Sequence, residues 1–431
     1  MSIETQIAAL TAAAEALTST VANKQSEIDE ALATALGSFV VSAKSKFVRV
    51  GVGGDFETLA QALNFYGSVD MVYTSGARQL VTLELQAGYV LKEQILMYEG
   101  KDLSFVRITS VDPVVYVDHT SIVTSFWGRK CIVGVAAGGR SPSIETLFEL
   151  SPDISALSAV IDGVFAREVG SIVRVSAGCG VRNATGHGIN VERGAFVLAI
   201  SSDFSSARVR GINAAQGATV CASYGDFSNA GSDSVYAASS NVVVDGANLK
   251  KSKGRGIYAY SNAFVSAVAA DVSDVVSGGV FAYQACVVNF RSGVANRVGG
   301  DGVKASEASM INAHAVNADD VLGCAFYSAT GSMVSANSSK GRNAGVYGAV
   351  CEWGASLGIE GSDLTGYKLM GVLAQSGSSV NARSSNIALV DAVSSDDIKV
   401  LGGSVVAAHG AIGASNIAKN TLTSSGILFA N

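Results

Sequence analysis

A two-residue phrase, in which a small residue precedes a mostly aliphatic one, recurs nine times between residues 188 and 372 at steps of 21 to 26 residues. Repeats of this size are typical of solenoids, in which each turn packs only against the turns above and below it. The repeat therefore predicts a solenoid with coils of about 23 residues. The nine copies are Gly188-Ile189, Gly211-Ile212, Ser234-Val235, Gly256-Ile257, Gly279-Val280, Gly302-Val303, Cys324-Ala325, Gly345-Val346 and Gly371-Val372.

The residues that follow each small residue alternate with a period of two, which is typical of β-strands. Isoleucine or valine stands one position later in eight copies, and alanine stands three positions later in six. A second strand is indicated by valine or isoleucine nine positions later, as at Val220 and Val243, although Asp245 and Phe290 interrupt the alanines two positions further on. A leucine-rich repeat would need leucine at several fixed positions. The pattern therefore predicts an all-β fold, a parallel β-helix.

Composition argues against several classes of protein. Only 15% of the 431 residues are charged and the net charge is −6, whereas a nucleic-acid partner calls for a basic stripe. No apolar run approaches the ~18 residues of a membrane helix and no secretory signal is evident, so we expect no membrane insertion. Six cysteines without CxxC spacing and four scattered histidines predict reduced thiols, no metal site and no cofactor.

Residues 1–37 differ from the rest because they are rich in alanine and carry apolar residues alternately four and three positions apart. Such a heptad seam predicts an α-helical coiled coil, and its isoleucine, leucine and valine favour three or more strands over two. We therefore expect a homotrimer, and a solitary amphipathic helix docked on the domain is the alternative. The seam contains Ile3, Ile7, Leu10, Leu17, Val21 and Ile28, with Lys24 as its polar member.

The rest of the chain divides into four segments. Residues 38–80 are predicted to form a neck and a capping helix, with Asp55 as the N-cap of that helix. Residues 81–162 correspond to first, irregular coils, and residues 163–387 to regular β-helix repeats. The pattern fades in residues 388–431, which we assign to final coils or a C-terminal tip.

This order of elements resembles the trimeric β-helical tail fibres and tailspikes of bacteriophages. Residues 53–63 (GGDFETLAQAL) are similar to the capping-helix phrase that opens pectin-lyase-like domains. Residues 86–89 (QAGY) and 103–108 (LSFVRI) resemble the first coils of such spikes, and residues 420–429 (NTLTSSGILF) are similar to a phrase that ends phage β-helix proteins. The resemblance implies a right-handed parallel β-helix, a homotrimer, and a place in the virion tail after assembly in the host cytoplasm.

Pectin methylesterases share the same opening, and residues 88–93 (GYVLKE) resemble an early phrase of that family. The catalytic phrases of the family, Gln-Asp-Thr and Asp-Phe-x-Phe-Gly, have no counterpart in this sequence. Their active site is therefore not carried over to this chain.

The outward positions of the second strand are apolar in the early coils. A strand that is apolar on both faces must be covered, and we predict that a neighbouring subunit covers this one, with a long loop of the same chain as the alternative. The predicted trimer interface contains Phe196, Leu198, Val242, Val244, Phe264, Val287 and Met310.

The outward positions of the first strand carry aromatic residues in consecutive coils. Rings about 5 Å apart offer flat apolar faces suited to sugars, and the adjacent basic turn could hold a phosphate or a uronate. The alternative is that the rings complete the trimer interface and the lysines form a solvated turn. The predicted glycan-binding residues are Tyr236, Tyr258, Tyr260, Phe281, Tyr283, Lys250, Lys251, Lys253 and Arg255, and Phe326 and Tyr347 extend the aromatic series.

Catalysis of glycan hydrolysis usually needs two carboxylates at a fixed separation. Acidic residues are also common in turns for reasons of turn chemistry alone. The candidates are Asp271 with Asp274, Asp301 with Glu307, and Asp319 with Asp320, of which Asp301 and Asp319 are preferred.

Together, the resemblance and these surfaces favour a phage tail fibre or receptor-binding protein that recognises a bacterial surface polysaccharide. Residues 1–37 would attach it to a tail or baseplate protein. One alternative is a tailspike depolymerase that cleaves the same glycan by hydrolysis or elimination. A second alternative is a structural stalk or adaptor without a ligand.

Overall fold

The computed structural model of the chain describes residues 3–38, 46–68, 81–98, 100–151, 159–388, 397–412, 421–423 and 426–429. In these residues the chain forms a right-handed parallel β-solenoid of about 14 turns. Each regular coil contributes a strand to one sheet, face A, then a strand to a second sheet, face B, and then a short strand or a single bridge to face C. The predicted β-helix is therefore confirmed.

Face A contains thirteen of the described strands, all paired in parallel. Its bounds are Ile95–Met97, Lys130–Val135, Ile161–Arg167, Ile189–Glu192, Ile212–Ala215, Val235–Ala238, Ile257–Tyr260, Val280–Tyr283, Val303–Ser306, Phe326–Ala329, Tyr347–Glu352, Met370–Ala374 and Ile398–Val400.

Face B contains seventeen of the described strands, and the last two form an antiparallel hairpin. Its bounds are Lys46–Val50, Val81–Leu85, Val106–Ser110, Arg140–Glu145, Ile172–Val175, Phe196–Leu198, Thr219–Cys221, Asn241–Val243, Phe264–Ser266, Val287–Asn289, Met310–Asn312, Met333–Ser335, Ser356–Gly358, Ser379–Asn381, Ser404–Ala407, Thr421–Thr423 and Gly426–Phe429.

Face C begins with four strands and continues as a column of single bridges. The strands are Val90–Leu91, Val115–Val117, Leu147–Leu150 and Gly180–Arg182. Most bridge positions hold aspartate or asparagine, and the side chain accepts the backbone N–H two residues later, as at Asp226 and Asp271. Three positions after each bridge residue from Asp203 to Asp363, a second column adopts left-handed backbone: Ser206, Asn229, Lys251, Asp274, Arg297, Asp320, Asn343 and Gly366.

The repeating small residue stands where the backbone of the next coil comes closest. A Cβ atom on Gly188 would lie 2.7 Å from the carbonyl oxygen of Gly211, and one on Gly279 would lie 2.4 Å from that of Gly302. Side chains larger than a few atoms are therefore excluded from this column.

The sequence analysis misplaced two copies of this phrase. Face A pairs Val303 with Phe326 and Phe326 with Ala349, so the small residues of these coils are Ala325 and Gly348 rather than Cys324 and Gly345. With this correction every step from residue 188 to residue 371 is 23 residues, apart from one of 22.

The short step also overturns two predicted interface residues. In the coil that begins at Ser234, the turn between the two strands is one residue shorter, so Val242 pairs with Val220 and Val265. A slip of one residue turns every side chain to the opposite face. Val242 and Val244 are consequently buried in the core, and Val243, which was predicted to face inward, points outward.

Two helices precede the coils. Helix α1 (Ile3–Ser38) corresponds to the predicted coiled-coil segment, and helix α2 (Leu59–Gly67) buries four apolar residues in the core of the first coil. The N-cap of α2 is Thr58, which forms a capping box with Gln61. Asp55 is not the N-cap; its carboxylate instead accepts the backbone N–H of Arg49.

The chain continues the solenoid beyond residue 387. The described residues 397–412 add a further strand to face A, Ile398–Val400, and a further strand to face B, Ser404–Ala407. The Gly426–Phe429 strand then pairs in parallel with Ser404–Ala407. These residues therefore form final coils of the same sheets.

Candidate functional site

An aromatic ladder lies on the outer surface of face A. Tyr236, Tyr258 and Phe281 occupy one register position in consecutive strands, and their ring centroids are 5.5 and 5.4 Å apart. A second column contains Tyr260 and Tyr283, whose centroids are 5.9 Å apart and whose rings are nearly parallel. Five of the seven aromatic residues predicted for this series, all except Phe326 and Tyr347, are thus brought together, half-buried, on one surface.

Cationic side chains stack on this ladder. The guanidinium carbon of Arg210 lies 3.9 Å from the ring centroid of Tyr236, and that of Arg255 lies 4.2 Å from Tyr258 and 5.0 Å from Phe281. The ammonium of Lys304 lies 4.2 Å from the centroid of the Tyr327 ring. Cation–π contacts at such distances hold the charges in place above the sheet.

A column of titratable residues borders the ladder at the start of the face A strands. Backbone hydrogen bonds place Arg210, Asp233, Arg255, Gly278 and Asp301 at the same position in consecutive coils. Asp233 pairs with Arg210 at 3.8 Å and accepts the backbone N–H of Arg255, and Asp301 pairs with Lys304 at 3.4 Å. A cavity of about 240 Å³ opens at Gly278, where this column lacks a side chain.

The predicted basic turn is divided between two surfaces. Arg255 stacks on the aromatic ladder, whereas Lys250 forms an ion pair with Asp271 at 2.8 Å. Lys251 belongs to the left-handed column and, with Lys250, lowers the pKa of Asp274, although the hydrogen bond from Arg297 contributes most to that shift. Lys253 is exposed. Of the four predicted cations, only Arg255 contacts the ladder.

Most of the candidate carboxylates serve the structure of the turns. Asp274 accepts two hydrogen bonds from Arg297, at 2.7 and 3.0 Å, and Asp320 accepts one from the Asn343 amide. Asp319 is buried against Arg342. Only Asp301 lies in the cavity beside the ladder.

Glu307 and the tyrosine hydroxyls do not provide the acid and base that glycan hydrolysis needs. Glu307 accepts a hydrogen bond from Tyr283 and so raises the pKa of that phenol. Burial raises the pKa of Tyr258, and burial together with the hydrogen bond to Glu352 raises that of Tyr327 well above the usual range. These phenols therefore stay protonated and act as hydrogen-bond donors at neutral pH.

The sequence analysis missed three members of this surface: Arg210, Lys304 and Tyr327. Lys304 and Tyr327 continue the column of Tyr258 and Phe281, and they stand two positions after Gly302 and Ala325. A strict step of 23 residues would have found Tyr327, whereas Lys304 was left out because the ladder was defined by aromatic residues alone. Phe326, which was assigned to the ladder, is buried in the core.

A separate apolar stripe runs along face B. Phe264, Val287, Met310 and Met333 occupy one register position in consecutive strands, and each is about 40% exposed. The predicted interface residues Phe196 and Leu198 are half-buried on the same face. Five of the seven residues predicted for this interface therefore lie on one outer surface.

The seam of α1 is also exposed. Leu10, Leu17, Val21 and Ile28 are 56 to 75% exposed. The side chains of Ile3 and Ile7 lie outside the described residues. The described part of the seam packs against no other part of this chain.

A second cleft, of about 590 Å³, lies where α2 meets the first coil. Glu93 accepts the backbone N–H groups of Leu59 and Ala60 and the hydroxyl of Tyr89. Its carboxylate thus satisfies the N-terminus of α2, which explains the structural use of the GYVLKE phrase.

The described residues contain neither a helix long and apolar enough to cross a bilayer nor a cluster of three or more histidine, cysteine, aspartate or glutamate residues arranged around a metal. All six cysteines are free, and four of them are buried.

One solved structure is similar to part of this chain. The A-module of the mannuronan C-5 epimerase AlgE4 from Azotobacter vinelandii aligns over 76% of this chain and 90% of the epimerase module, with 10% identity and a TM-score of 0.43. No family model matches the sequence, and no curated protein matches it.

Proposed function

We propose that this chain is the subunit of a homotrimeric bacteriophage tail fibre, a receptor-binding protein that recognises a bacterial surface polysaccharide along face A. The observation that carries the proposal is the aromatic ladder with its stacked cations, from Arg210 to Tyr327. A half-buried row of rings on the outer surface of a sheet offers flat apolar contacts to a partner.

Sugars suit this surface better than other partners do. One face of a pyranose ring is apolar, and rings repeat along the polymer as the coils repeat along the sheet. The aromatic rings supply flat apolar contacts, while phenolic hydroxyls and cations at their edges supply hydrogen bonds. A long polysaccharide lying across several coils would contact many such positions at once.

Binding without cleavage is favoured over the depolymerase alternative. A glycosidase places two carboxylates on opposite sides of the scissile bond. Among the candidate carboxylates in the described chain, Asp301 and Glu307 border the ladder, but Asp301 is paired with Lys304 and Glu307 accepts a hydrogen bond from Tyr283. This geometry offers a binding surface but no acid–base pair.

The trimer is supported by two exposed apolar surfaces, the seam of α1 and the stripe on face B. Three copies would bury both, since seams of this composition favour three strands. Three binding surfaces on one fibre also raise the overall affinity for a repetitive polymer through effective concentration. In this proposal the N-terminal helices attach the fibre to a tail or baseplate protein.

The test is to incubate the purified protein with capsular polysaccharides and lipopolysaccharides from candidate host bacteria. We expect the polymer to retain the protein while its length and its number of reducing ends stay constant. Shortened polymer, or new unsaturated ends, would identify a depolymerase. A protein that is retained by no polysaccharide would leave the stalk alternative.

Variants make the test specific to face A. Tyr258→Ala removes the central ring of the ladder and should abolish retention, while the fibre keeps its mass and melting temperature. Lys251→Gln is the matched control, because Lys251 lies in the turn beside Asp274 and not on the ladder. Equal loss in both variants would contradict the assignment of the site to face A.

A further inference from the structure

We infer that the cavity at Gly278 is a subsite for one sugar ring that carries a carboxylate. This inference rests on the proposed function, because it assigns one residue of the polysaccharide to one place on face A. It differs from the ladder as a whole, which any glycan with apolar ring faces could contact.

The cavity exists because one coil lacks a side chain. In the column that borders the ladder, Arg255 stands one coil before Gly278 and Asp301 stands one coil after it. The opening of about 240 Å³ is lined by these residues, by Phe281 and Lys304 from the neighbouring strands, and by the backbone at Gly300. Pockets for drug-sized ligands start at about 300 Å³, so this one suits a single ring.

Arg255 lacks the carboxylate that the neighbouring cations have. Arg210 pairs with Asp233, and Lys304 pairs with Asp301. Arg255 has no ion-pair partner among the described residues, and the position that would provide one in the next coil is Gly278. A carboxylate entering the cavity would therefore give Arg255 the kind of partner that Arg210 and Lys304 already have.

The Arg255 guanidinium is held ready for such a ligand. It stacks on Tyr258 at 4.2 Å and on Phe281 at 5.0 Å, so its planar fork is fixed before a ligand binds. A fixed guanidinium matches a carboxylate through two parallel hydrogen bonds and loses little entropy on binding.

Asp301 defines the rest of the ligand. Its Oδ1 accepts the backbone N–H of Cys324 at 2.9 Å, and its second oxygen pairs with Lys304, which leaves lone pairs for further donors. Sugar hydroxyls are such donors, and the Asp301 carboxylate repels a doubly charged phosphate more strongly than a singly charged uronate. The cavity thus matches a uronic acid: a carboxylate toward Arg255, hydroxyls toward Asp301 and a ring face on Phe281.

Two kinds of variant test the subsite. Gly278→Leu fills the cavity, and Arg255→Gln removes its unpaired charge without adding bulk. A Cβ on Gly278 would lie 3.2 Å from the nearest backbone oxygen, so a side chain can be accommodated there with a small shift. Lys251→Gln is again the matched control, because it removes an exposed cation that lies in the turn beside Asp274 and not on the ladder.

The probes are capsular polysaccharides containing uronic acid, each tested intact and after chemical reduction of its carboxyl groups to alcohols. We expect binding of the intact polymer, with affinity lowered about tenfold to hundredfold by carboxyl reduction or by Arg255→Gln, and little changed by Lys251→Gln. Gly278→Leu should give the same loss while the melting temperature of the fibre stays unchanged.

The outcomes separate the subsite from the proposed function. Equal binding of intact and reduced polymers, with loss in Tyr258→Ala, would overturn the uronic-acid subsite and keep the glycan-binding surface. No binding of any polysaccharide would overturn both. If Gly278→Leu does not fold, Arg255→Gln decides the matter alone, and unchanged affinity in that variant overturns the subsite.

Discussion

Arg342 holds the carboxylate of Asp319 from the following coil. Its backbone N–H donates to Oδ1 at 2.9 Å, and its Nε donates to Oδ2 at 3.1 Å. Asp319 is buried, so this one carboxylate joins two coils through both of its oxygens. The position of Asp319 therefore indicates a structural link between two coils rather than a catalytic acid.

The first prediction follows from that pair. Asp319→Ala leaves a buried backbone N–H and a guanidinium without their acceptor, which should lower the free energy of unfolding by about 1–3 kcal/mol. Binding to polysaccharide at temperatures well below unfolding should be unchanged. Urea denaturation and retention on immobilised polymer measure the two effects, and a loss of binding in a stable variant would contradict the structural role.

The second prediction concerns pH. Burial, reinforced by Arg210 and Arg129, lowers the pKa of His187 from 6.5 to about 3. Because the folded-state pKa is depressed, the stability is complete above the unfolded pKa of 6.5 and is lost as the pH falls toward 3, by roughly 4 kcal/mol. His187→Gln should flatten urea midpoints between pH 6.5 and 4; parallel curves for both proteins would contradict this.

The third prediction compares two adjacent glycines. Gly279→Ala would place a Cβ 2.4 Å from the backbone oxygen of Gly302, whereas Gly278→Ala has 3.2 Å available. We expect Gly279→Ala to cost about 1–3 kcal/mol, and Gly278→Ala to cost clearly less. Urea denaturation of both variants gives the comparison, and equal midpoints would show that contact between coils does not restrict this column.

The fourth prediction concerns assembly. Leu17→Asp places a charge in the seam of α1, and Val287→Glu places one in the face B stripe. We expect the double variant to have one third of the native mass by light scattering, because a trimer would have to bury both charges. Ser306→Glu, on face A, is the control and should leave the mass unchanged. A monomeric native protein would refute the trimer outright.

The sequence was sufficient to predict the solenoid, its coil length and the outer position of the first aromatic rings. Those features depend on a period of two within strands and of about 23 between coils, and each is repeated many times. The errors arose where the sequence pattern is compatible with more than one register between coils. Omission of one residue before Asn241 exchanged the faces of Val242 and Val243. Placing the repeat at Cys324 rather than Ala325 likewise assigned the buried Phe326 to the outer surface.

The cavity beside the ladder could not be predicted from the sequence repeat, for a different reason. Arg255 and Lys250 are close in sequence, yet one stacks on Tyr258 and the other pairs with Asp271 on another surface. A long cationic side chain can reach several neighbours in adjacent coils. Which of them it contacts depends on three-dimensional distances rather than on spacing along the chain. The cavity exists because Gly278 has no side chain, and a glycine is not among the residue types that indicate binding or catalysis in a sequence.

The left-handed column after face C has a consequence for how such a fibre can change. Non-glycine residues in this conformation cost about 1 kcal/mol or more each, yet serine, asparagine, lysine, aspartate and arginine all occupy it, because hydrogen bonds to the next coil hold the backbone. The side chains are exposed or half-buried, and some contact one another between coils, as Arg297 contacts Asp274 and Asn343 contacts Asp320. Successive coils therefore present a row of about one side chain per 4.8 Å, and different residue types are tolerated along it. Mutations in this row can change the surface charge of the fibre without disturbing its fold.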